Sequence, residues 1–463
     1  MNMPTLLDLT LRFCVQMAVI LATYRLIWPL FKRLGQVQVV AIMASGFFLG
    51  PSLLGTVWPA ASNWLFPTKL TLPHGDTITH PSLTIVYVVG QLGLILYMFL
   101  VGSAFKLDIF RKHIKQAAGT SIVGVSVPLI LGGTIGWFLV SGGSGLYTER
   151  VQPWQGGLFL AAAVAITAFP VLAWMVYDSN LVNTRVGTMA LSLAAADDAC
   201  AWILLAIVVA TTHGSAFGIV LAIGGTLAYV AFMLTIGRKG LRRLGRLAAP
   251  KAGPDGDNLP IAALTVTLLA VLLGAAFTDF IGIHSVFGAF ILGTVMPRGK
   301  LLDTLRQRIE PLTSYLLLPV FFIYAGLNTK LSLILDPSVL PIALGVLVIS
   351  FIAKFGAVGL TARIQGMSWR EAGSVGSLAN ARGLMELILI NIGLAAGLLS
   401  PTLYTILAIM TFVTTLAATP LHRIFERSAW KHGLVYGPAG ETDAPTEASA
   451  LPLAPQRDTV RAV

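Results

Sequence analysis

Long apolar segments separated by short polar loops follow one another along almost the whole chain. Most of these segments are roughly 18 to 25 residues long, which is enough for a helix to cross about 30 Å of hydrocarbon. We therefore predict an all-α polytopic membrane protein with about 13 transmembrane helices. Their approximate limits are residues 11–31, 37–56, 83–104, 117–140, 156–177, 183–211, 215–237, 260–278, 281–297, 313–329, 339–362, 372–396 and 401–424.

Composition agrees with this pattern and divides the chain into two parts. Hydrophobic residues make up 56% of the chain and charged residues only 11%, which leaves too few polar side chains to cover a water-soluble protein. We assign residues 1–431 to a transmembrane domain. Residues 432–463 are rich in Pro, Ala and Thr and lack an apolar period, so we predict a short disordered cytoplasmic tail there.

The distribution of Lys and Arg among the loops predicts the orientation of the chain. The loops after odd-numbered spans, with the segment just after the last span, hold 22 Lys and Arg residues. The loops after even-numbered spans hold only Lys69, Arg150 and Lys330. Because basic loops stay in the cytoplasm, we expect an outside N-terminus and a cytoplasmic C-terminus in the inner (plasma) membrane. Basic loops also explain the net charge of +11, so no nucleic-acid partner is expected.

The odd number of spans indicates an internal symmetry. Spans 1–6 and 8–13 would form two inverted six-helix repeats joined by span 7, an arrangement common in secondary transporters. The division of residues 260–297 into two spans stays open, because the sequence from Asp279 to Gly282 fits either a tight turn or a bend.

Five charged residues lie near the centres of predicted spans: Asp197, Asp198, Lys354, Arg382 and Glu386. A charge there is costly unless it is paired or hydrated, so each is a candidate functional residue. The two aspartates are consecutive, and neighbours on a helix point about 100° apart, so one can face a hydrated cavity while the other contacts protein. Burial and a nearby like charge favour the protonated carboxylate, so a proton and a hard cation can compete for its oxygens. Lys354 needs a counter-ion, for which span 6 offers an acid; Glu386 and snorkelling are the alternatives.

Two predicted spans contain a break in helical structure at corresponding positions of the two halves. In span 5, Pro170 follows Thr167 and removes a backbone donor, so this segment is either broken or kinked. In span 12, Asn380 and Gly383 are poor helix formers on either side of Arg382. We expect two crossed discontinuous helices here, because such a pair marks the binding site of many transporters.

The charged residue in the second break has two candidate roles. Arg382 lies four residues before Glu386, so the two can neutralise each other on one helix face. The guanidinium can also compensate the carbonyl ends of the opposed half-helices.

Other chemistry finds no support in the sequence. Cys14 and Cys200 both lie in apolar segments and form no disulfide or metal pattern. No nucleophile with a base, no metal-ligand spacing and no phosphate-binding loop stands in a supporting context. We therefore expect no enzyme activity, no cofactor and no metal beyond a transported cation.

Five sequence blocks together resemble the monovalent cation:proton antiporter superfamily, and specifically its second branch. That branch includes bacterial sodium/proton antiporters, potassium-efflux antiporters and the plant cation/proton exchangers. The resemblance covers roughly residues 37–424. The blocks are Ile166–Ala173, Ala194–Ala206, Gly282–Phe290, Leu317–Phe322 and Asn380–Ile388.

The resemblance implies exchange of Na⁺ or K⁺ for protons by a homodimer in the lipid bilayer. The plant exchangers carry Asn-Asp in span 6, whereas this chain has Asp-Asp together with Lys354, a pattern similar to that of electrogenic sodium/proton exchangers. By that analogy Asp198 binds cation and proton, Asp197 pairs with Lys354, and Thr167 completes the site with exposed backbone. The sequence leaves two alternatives open: a sodium-coupled symporter for an organic anion, with Arg382 as a substrate ligand, and a passive cation channel.

Overall fold

The structure is a computed structural model that describes residues 4–71, 77–104, 107–179, 181, 184–212, 216–247, 261–281 and 284–431. The predicted tail, residues 432–463, lies outside the described residues. The side chain of Asp198 also lies outside the description, although its backbone belongs to a helix.

Nineteen α-helices form most of the described chain. The first ten are α1 (Leu6–Arg33), α2 (Gln38–Leu49), α3 (Leu54–Val57), α4 (Pro59–Leu65), α5 (Pro81–Ala104), α6 (Leu107–Ser141), α7 (Pro153–Ala165), α8 (Phe169–Asp178), α9 (Arg185–Thr212) and α10 (Ala216–Phe232). The others are α11 (Arg238–Leu247), α12 (Ile261–Phe280), α13 (Ser285–Val295), α14 (Lys300–Leu312), α15 (Leu318–Leu327), α16 (Leu340–Ile364), α17 (Trp369–Leu378), α18 (Leu384–Ala395) and α19 (Pro401–Lys431).

Short elements connect some of these helices. The π-helical turns Met233–Gly237 and Thr313–Leu317 join α10 to α11 and α14 to α15. A 3₁₀ turn occupies Leu331–Leu333. Strand β1 (Lys69–Thr71) pairs with β2 (Thr77–Thr79) in antiparallel register.

The polytopic α-helical architecture predicted from the apolar pattern is confirmed. Within the described residues, nine helical segments are long and apolar enough to cross a membrane. Each of the thirteen predicted spans coincides with one or more helices. The number of helices that cross the membrane, and the inverted symmetry of the two halves, stay predictions.

The segment 260–297 contains two helices, not one bent helix. α12 ends at Phe280 and α13 begins at Ser285, with residues 282 and 283 outside the described part. His284 is the N-cap of α13, and its ring accepts a hydrogen bond from the Val286 backbone N–H. A cap of this kind satisfies one of the donors that the start of a helix leaves free.

Two of the predicted spans are interrupted by short segments that are not α-helical. α7 ends at Ala165 before α8 begins at Phe169, and α17 ends at Leu378 before α18 begins at Leu384. Pro170 is the second residue of α8, where its missing N–H breaks no helical hydrogen bond. The segment is therefore a break between two half-helices, and the alternative of a simple kink is wrong.

The first broken helix lies at the centre of the protein. Of its most apolar stretch, within 153–173, 94% is buried by the rest of the protein, against 17% for the corresponding stretch of α1. Small residues permit this close packing. A Cβ atom at Gly132 of α6 would lie 2.9 Å from the Leu160 carbonyl oxygen of α7, so the two helix backbones are in direct contact.

Candidate ion-binding site

Lys354 and Asp197 form a completely buried ion pair between α16 and α9. The Lys354 Nζ atom lies 2.6 Å from Asp197 Oδ2, and both side chains are fully shielded from solvent. The same ammonium donates to the carbonyl oxygens of Gly124 on α6 at 3.0 Å and Ala165 on α7 at 2.7 Å. An ammonium has three N–H donors, so Lys354 joins four helices and has no donor left over.

Arg382 lies in the second break and is also completely buried. Its Nη1 and Nη2 atoms each donate over 2.7 Å, to the carbonyl oxygens of Ala163 and Val164 respectively. Nη1 also donates to the Glu386 carboxylate, four residues along the chain in the first turn of α18. Both candidate roles of Arg382 are therefore present together in the geometry.

The carbonyl end of α7 has the local electrostatics of a cation site. The last four carbonyls of a helix lack partners within it, and the aligned peptide dipoles make this end negative. In α7 the last three carbonyls, from Ala163 to Ala165, all accept hydrogen bonds from Arg382 or Lys354. Two protein cations thus neutralise this helix end, and one of them also binds an acid on α9.

The two breaks cross and contact each other directly. The Ala168 backbone N–H donates to the Ala381 carbonyl oxygen at 2.9 Å. Thr167 Oγ1 donates to the Ala379 carbonyl oxygen at 2.8 Å. These bonds satisfy backbone groups that neither half-helix can pair internally, which a broken segment at membrane depth requires. The crossing is therefore held together by direct hydrogen bonds between the two breaks.

Asn380 contributes an oxygen atom at the crossing. Its Nδ2 group donates to the Gly376 carbonyl oxygen at 3.1 Å. Its Oδ1 atom is buried and accepts no hydrogen bond from any residue that the structure describes. An amide oxygen is a suitable ligand for a hard cation.

Contacts with the end of α7 and the first break, residues 163–168, bring most of the predicted site residues together. Lys354 and Arg382 bind its carbonyls directly, and through them Asp197 and Glu386 are attached to the same point. The pairing of Lys354 with Glu386 does not occur, because Glu386 is bound by Arg382. The Asp198 side chain lies outside the part of the protein that the structure describes.

Thr415 on α19 is a supporting residue that the sequence did not indicate. Its Oγ1 accepts from the Arg382 backbone N–H at 3.0 Å and lies 3.0 Å from the Arg382 carbonyl oxygen. Nothing in the sequence distinguishes it from Thr414, because buried threonines in apolar helices commonly bond to carbonyls of their own helix. Only the fold brings Thr415 against the second break.

We expect Thr415→Val to lower the free energy of unfolding by about 1–2 kcal/mol, because it leaves the buried Arg382 N–H without an acceptor. Thermal unfolding of the purified protein in detergent measures the change. Thr414→Val is the matched control, since among the described residues the Thr414 hydroxyl bonds only to Met410 and Thr411 of its own helix. Equal destabilisation by both variants would contradict a specific role for Thr415.

Comparison with known protein families assigns this architecture. A family model described as "Sodium/hydrogen exchanger, transmembrane" matches residues 18–426. The chain belongs to this family. The resemblance expected from the five sequence blocks is thereby confirmed, and the family of sodium/hydrogen exchangers is one of transporters.

Curated relatives of this cation:proton exchanger include bacterial, plant and fungal proteins. It is 37% identical over 405 residues to the Na(+)/H(+) antiporter NhaS4 of Synechocystis sp., covering 87% of this chain and 94% of that one. It is 34% identical over 422 residues to Cation/H(+) antiporter 20 of Arabidopsis thaliana, covering 88% and 47%. It is 29% identical over 432 residues to K(+)/H(+) antiporter 1 of Saccharomyces cerevisiae, covering 91% and 47%. The exchanger thus spans about half the length of these two eukaryotic relatives.

A solved structure supports the same fold. The sodium proton antiporter MjNhaP1 from Methanocaldococcus jannaschii superposes with a TM-score of 0.58 over 92% of this chain and 98% of that one. The sequence identity of 17% limits this similarity to the fold.

Proposed function

We propose that the protein is a secondary active transporter that exchanges a monovalent cation, Na⁺ or K⁺, for protons by alternating access. The observation that carries the proposal is the buried Lys354–Asp197 pair beside two crossed half-helices. A buried ion pair contributes little net stability. Its place beside broken helices, where transporters bind their substrates, therefore favours a functional role.

Asp198 is the proposed carboxylate for both cation and proton. Asp197 is occupied by Lys354, and the next residue on α9 points about 100° away from it. Thr167, backbone carbonyls of the first break and Asn380 Oδ1 are the proposed additional oxygen ligands. Pro170 keeps α8 from continuing α7 into one helix, and Arg382 with Glu386 holds the crossing together.

The proposed cycle moves the site from one side of the membrane to the other. Deprotonated Asp198 takes a cation on one side, and the helices around the crossing then move against the rest of the protein. On the other side protonation of Asp198 expels the cation. Lys354 releases Asp197 when Asp197 itself takes a proton or joins the ion site, which gives a second proton per cycle.

Other features of the protein belong to the same proposal. The names of the relatives include both Na⁺ and K⁺, so the ion that this chain prefers is a matter for experiment. The excess of basic residues in one set of loops supports a cytoplasmic C-terminus in the inner membrane. A homodimer in the lipid bilayer is proposed from the family resemblance.

An organic-anion symporter has less support from the geometry. The basic ligand that such a substrate would need is Arg382, and both of its terminal nitrogens are already bound by protein groups. A passive channel would need no lysine paired to one of its acids.

Reconstitution in liposomes with an imposed pH gradient tests the proposal. We expect addition of Na⁺, Li⁺ or K⁺ to collapse the gradient, measured as internal pH, and the active cations to identify the substrate. Asp198→Asn should be indistinguishable from empty liposomes, because an amide neither ionises nor exchanges a proton. Full exchange by Asp198→Asn would reject this residue as the carrier. Cation flux without proton movement would favour a channel or symporter.

A further inference from the structure

A basic cleft lies away from the buried ion pair, between α11 and the start of α14. It has a volume of about 420 Å³. Arg242 and Arg246 line it from α11, one helical turn apart, and Arg298 and Lys300 line it from the segment after α13. All four side chains are largely exposed.

Among the residues that the structure describes, the lining of this cleft carries positive charge without a compensating acid. None of the described lining residues is acidic, and none of the four cations forms an ion pair within the described part of the chain. Asp303, in the first turn of α14, is exposed and is not part of the lining. Because like charges repel at close range, four cations around one cavity favour binding of an anion that offsets their repulsion.

The backbone of the cleft adds further donors for an anion. α14 is 13 residues long, and its N-cap is Gly299, which offers no side-chain cap. The first N–H groups of the helix therefore lack acceptors within it, and the helix dipole makes this end positive. Gly299 has a φ of 122°, a left-handed conformation that glycine adopts without strain. Glycine is therefore well suited to the turn at this position.

Close packing holds the two walls of the cleft in a defined arrangement. A Cβ atom at Gly245 of α11 would lie 3.3 Å from Pro297 Cγ, so α11 packs directly against the segment before α14. Leu301, which lines the cleft, is buried, as is Leu241 on α11. The cations are therefore presented from two packed elements and do not need to be gathered by a ligand.

The cleft adjoins the predicted membrane surface. α11 continues the π-helical turn after α10, and in that turn Leu234 and Ile236 are 45% and 61% exposed, as expected for side chains that face lipid. The charged residues begin immediately afterwards at Arg238. Basic pockets at this depth are suited to anionic headgroups.

We propose that this cleft binds a phosphate group that carries two negative charges, such as the phosphomonoester headgroup of phosphatidic acid or a soluble phosphate anion. The arginines would bind the phosphate oxygens by charge-assisted hydrogen bonds, and the α14 N-terminus would supply backbone donors. The bound anion would link α11, which follows the helix between the two halves, to α14 in the second half. This site does not depend on the proposed ion exchange.

Thermal unfolding of the purified full chain in uncharged detergent tests this proposal. We expect dioctanoyl phosphatidic acid to raise the unfolding temperature at low salt, and dioctanoyl phosphatidylcholine to leave it unchanged. High salt should weaken the effect, because the cations are exposed. Sodium pyrophosphate identifies the source of the phosphate: equal stabilisation by pyrophosphate supports a soluble anion at the same site, and stabilisation by the lipid alone supports a headgroup.

Matched double variants locate the binding site. Arg242→Gln/Arg246→Gln should weaken the apparent affinity at least about tenfold, because it removes two charged donors. Lys239→Gln/Arg243→Gln removes the same charge from the same helix outside the cleft and should leave the affinity unchanged.

Arg298→Gln tests the opposite wall independently and should also weaken binding, even if a double variant is poorly produced. Stabilisation that survives both Arg242→Gln/Arg246→Gln and Arg298→Gln would overturn the proposal. Equal loss in the Lys239→Gln/Arg243→Gln control, or no stabilisation of the unmodified protein by either phosphate compound, would do the same. Each of these readouts is independent of cation transport, so failure here leaves the exchange proposal standing.

Discussion

Arg382→Met is expected to lower the free energy of unfolding by about 3–5 kcal/mol, the cost typical of removing one partner from a buried ion pair. The substitution leaves the Glu386 carboxylate buried without its cation. It also removes the two hydrogen bonds that the guanidinium donates to the Ala163 and Val164 carbonyls at the end of α7. Because these contacts join the two broken helices, we expect low yields of monodisperse protein as well as a lower unfolding temperature in detergent.

Three further variants separate charge from shape at this position. Arg382→Met/Glu386→Gln should recover part of the loss, because it removes the unpaired acid. Arg382→Lys keeps the charge but cannot donate to two carbonyls at once as the guanidinium does. Its stability should therefore lie between those of the unmodified protein and Arg382→Met. Arg308→Met removes an exposed arginine from α14 and should change the stability by no more than about 0.5 kcal/mol. If Arg382→Met unfolded at the same temperature as Arg308→Met, the guanidinium would not be holding the crossing.

The second large effect is expected for Lys354→Met, again about 3–5 kcal/mol of stability, because Asp197 is left as a buried charge with no partner. The carbonyls of Gly124 and Ala165 lose the same donor. Lys354→Met/Asp197→Asn removes both charges and should be more stable than the single variant. With Asp197→Asn measured as the second single variant, thermal unfolding of all four proteins completes a double-mutant cycle and gives the coupling between the two side chains.

The same variants test whether the ion pair takes part in transport. In liposomes with a set membrane potential, a lysine that releases a carboxylate during each cycle should affect the charge moved per cation. We expect Lys354→Met/Asp197→Asn, which keeps Asp198, to retain exchange with an altered dependence on voltage. Unchanged stability, pH profile and voltage dependence in Lys354→Met would together rule out a role for the pair.

Much of this architecture could be predicted from local properties of the sequence. The free-energy cost of exposing backbone or charge to hydrocarbon depends on each residue and its neighbours. The length of the apolar segments therefore predicted the helices, and poor helix formers within those segments predicted the breaks. The same cost singled out Lys354, Arg382 and Glu386 as residues that need partners. Pro170 indicated either a break or a kink at this point, and the structure decides for a break, because α7 ends at Ala165.

The choice of partners was decided only by the tertiary structure. Lys354 could pair with Asp197 or Glu386 as far as the sequence allowed, and the contact that forms joins residues 157 positions apart. Arg382 reaches carbonyls 218 and 219 positions away, which carry no mark in the sequence because every residue has a carbonyl group. Thr415 was not predicted either, because only the packing of α19 against the second break brings it to the Arg382 backbone.

The sequence by itself determined which groups cannot be left alone in a membrane, because that requirement depends on each residue and its immediate neighbours. Which groups meet depends on how distant helices pack. That packing brought the breaks at Thr167 and Asn380 together and placed two cations on the end of α7. It also turned a run of basic loop residues, unremarkable in sequence, into a cleft with two walls around Arg242 and Arg298.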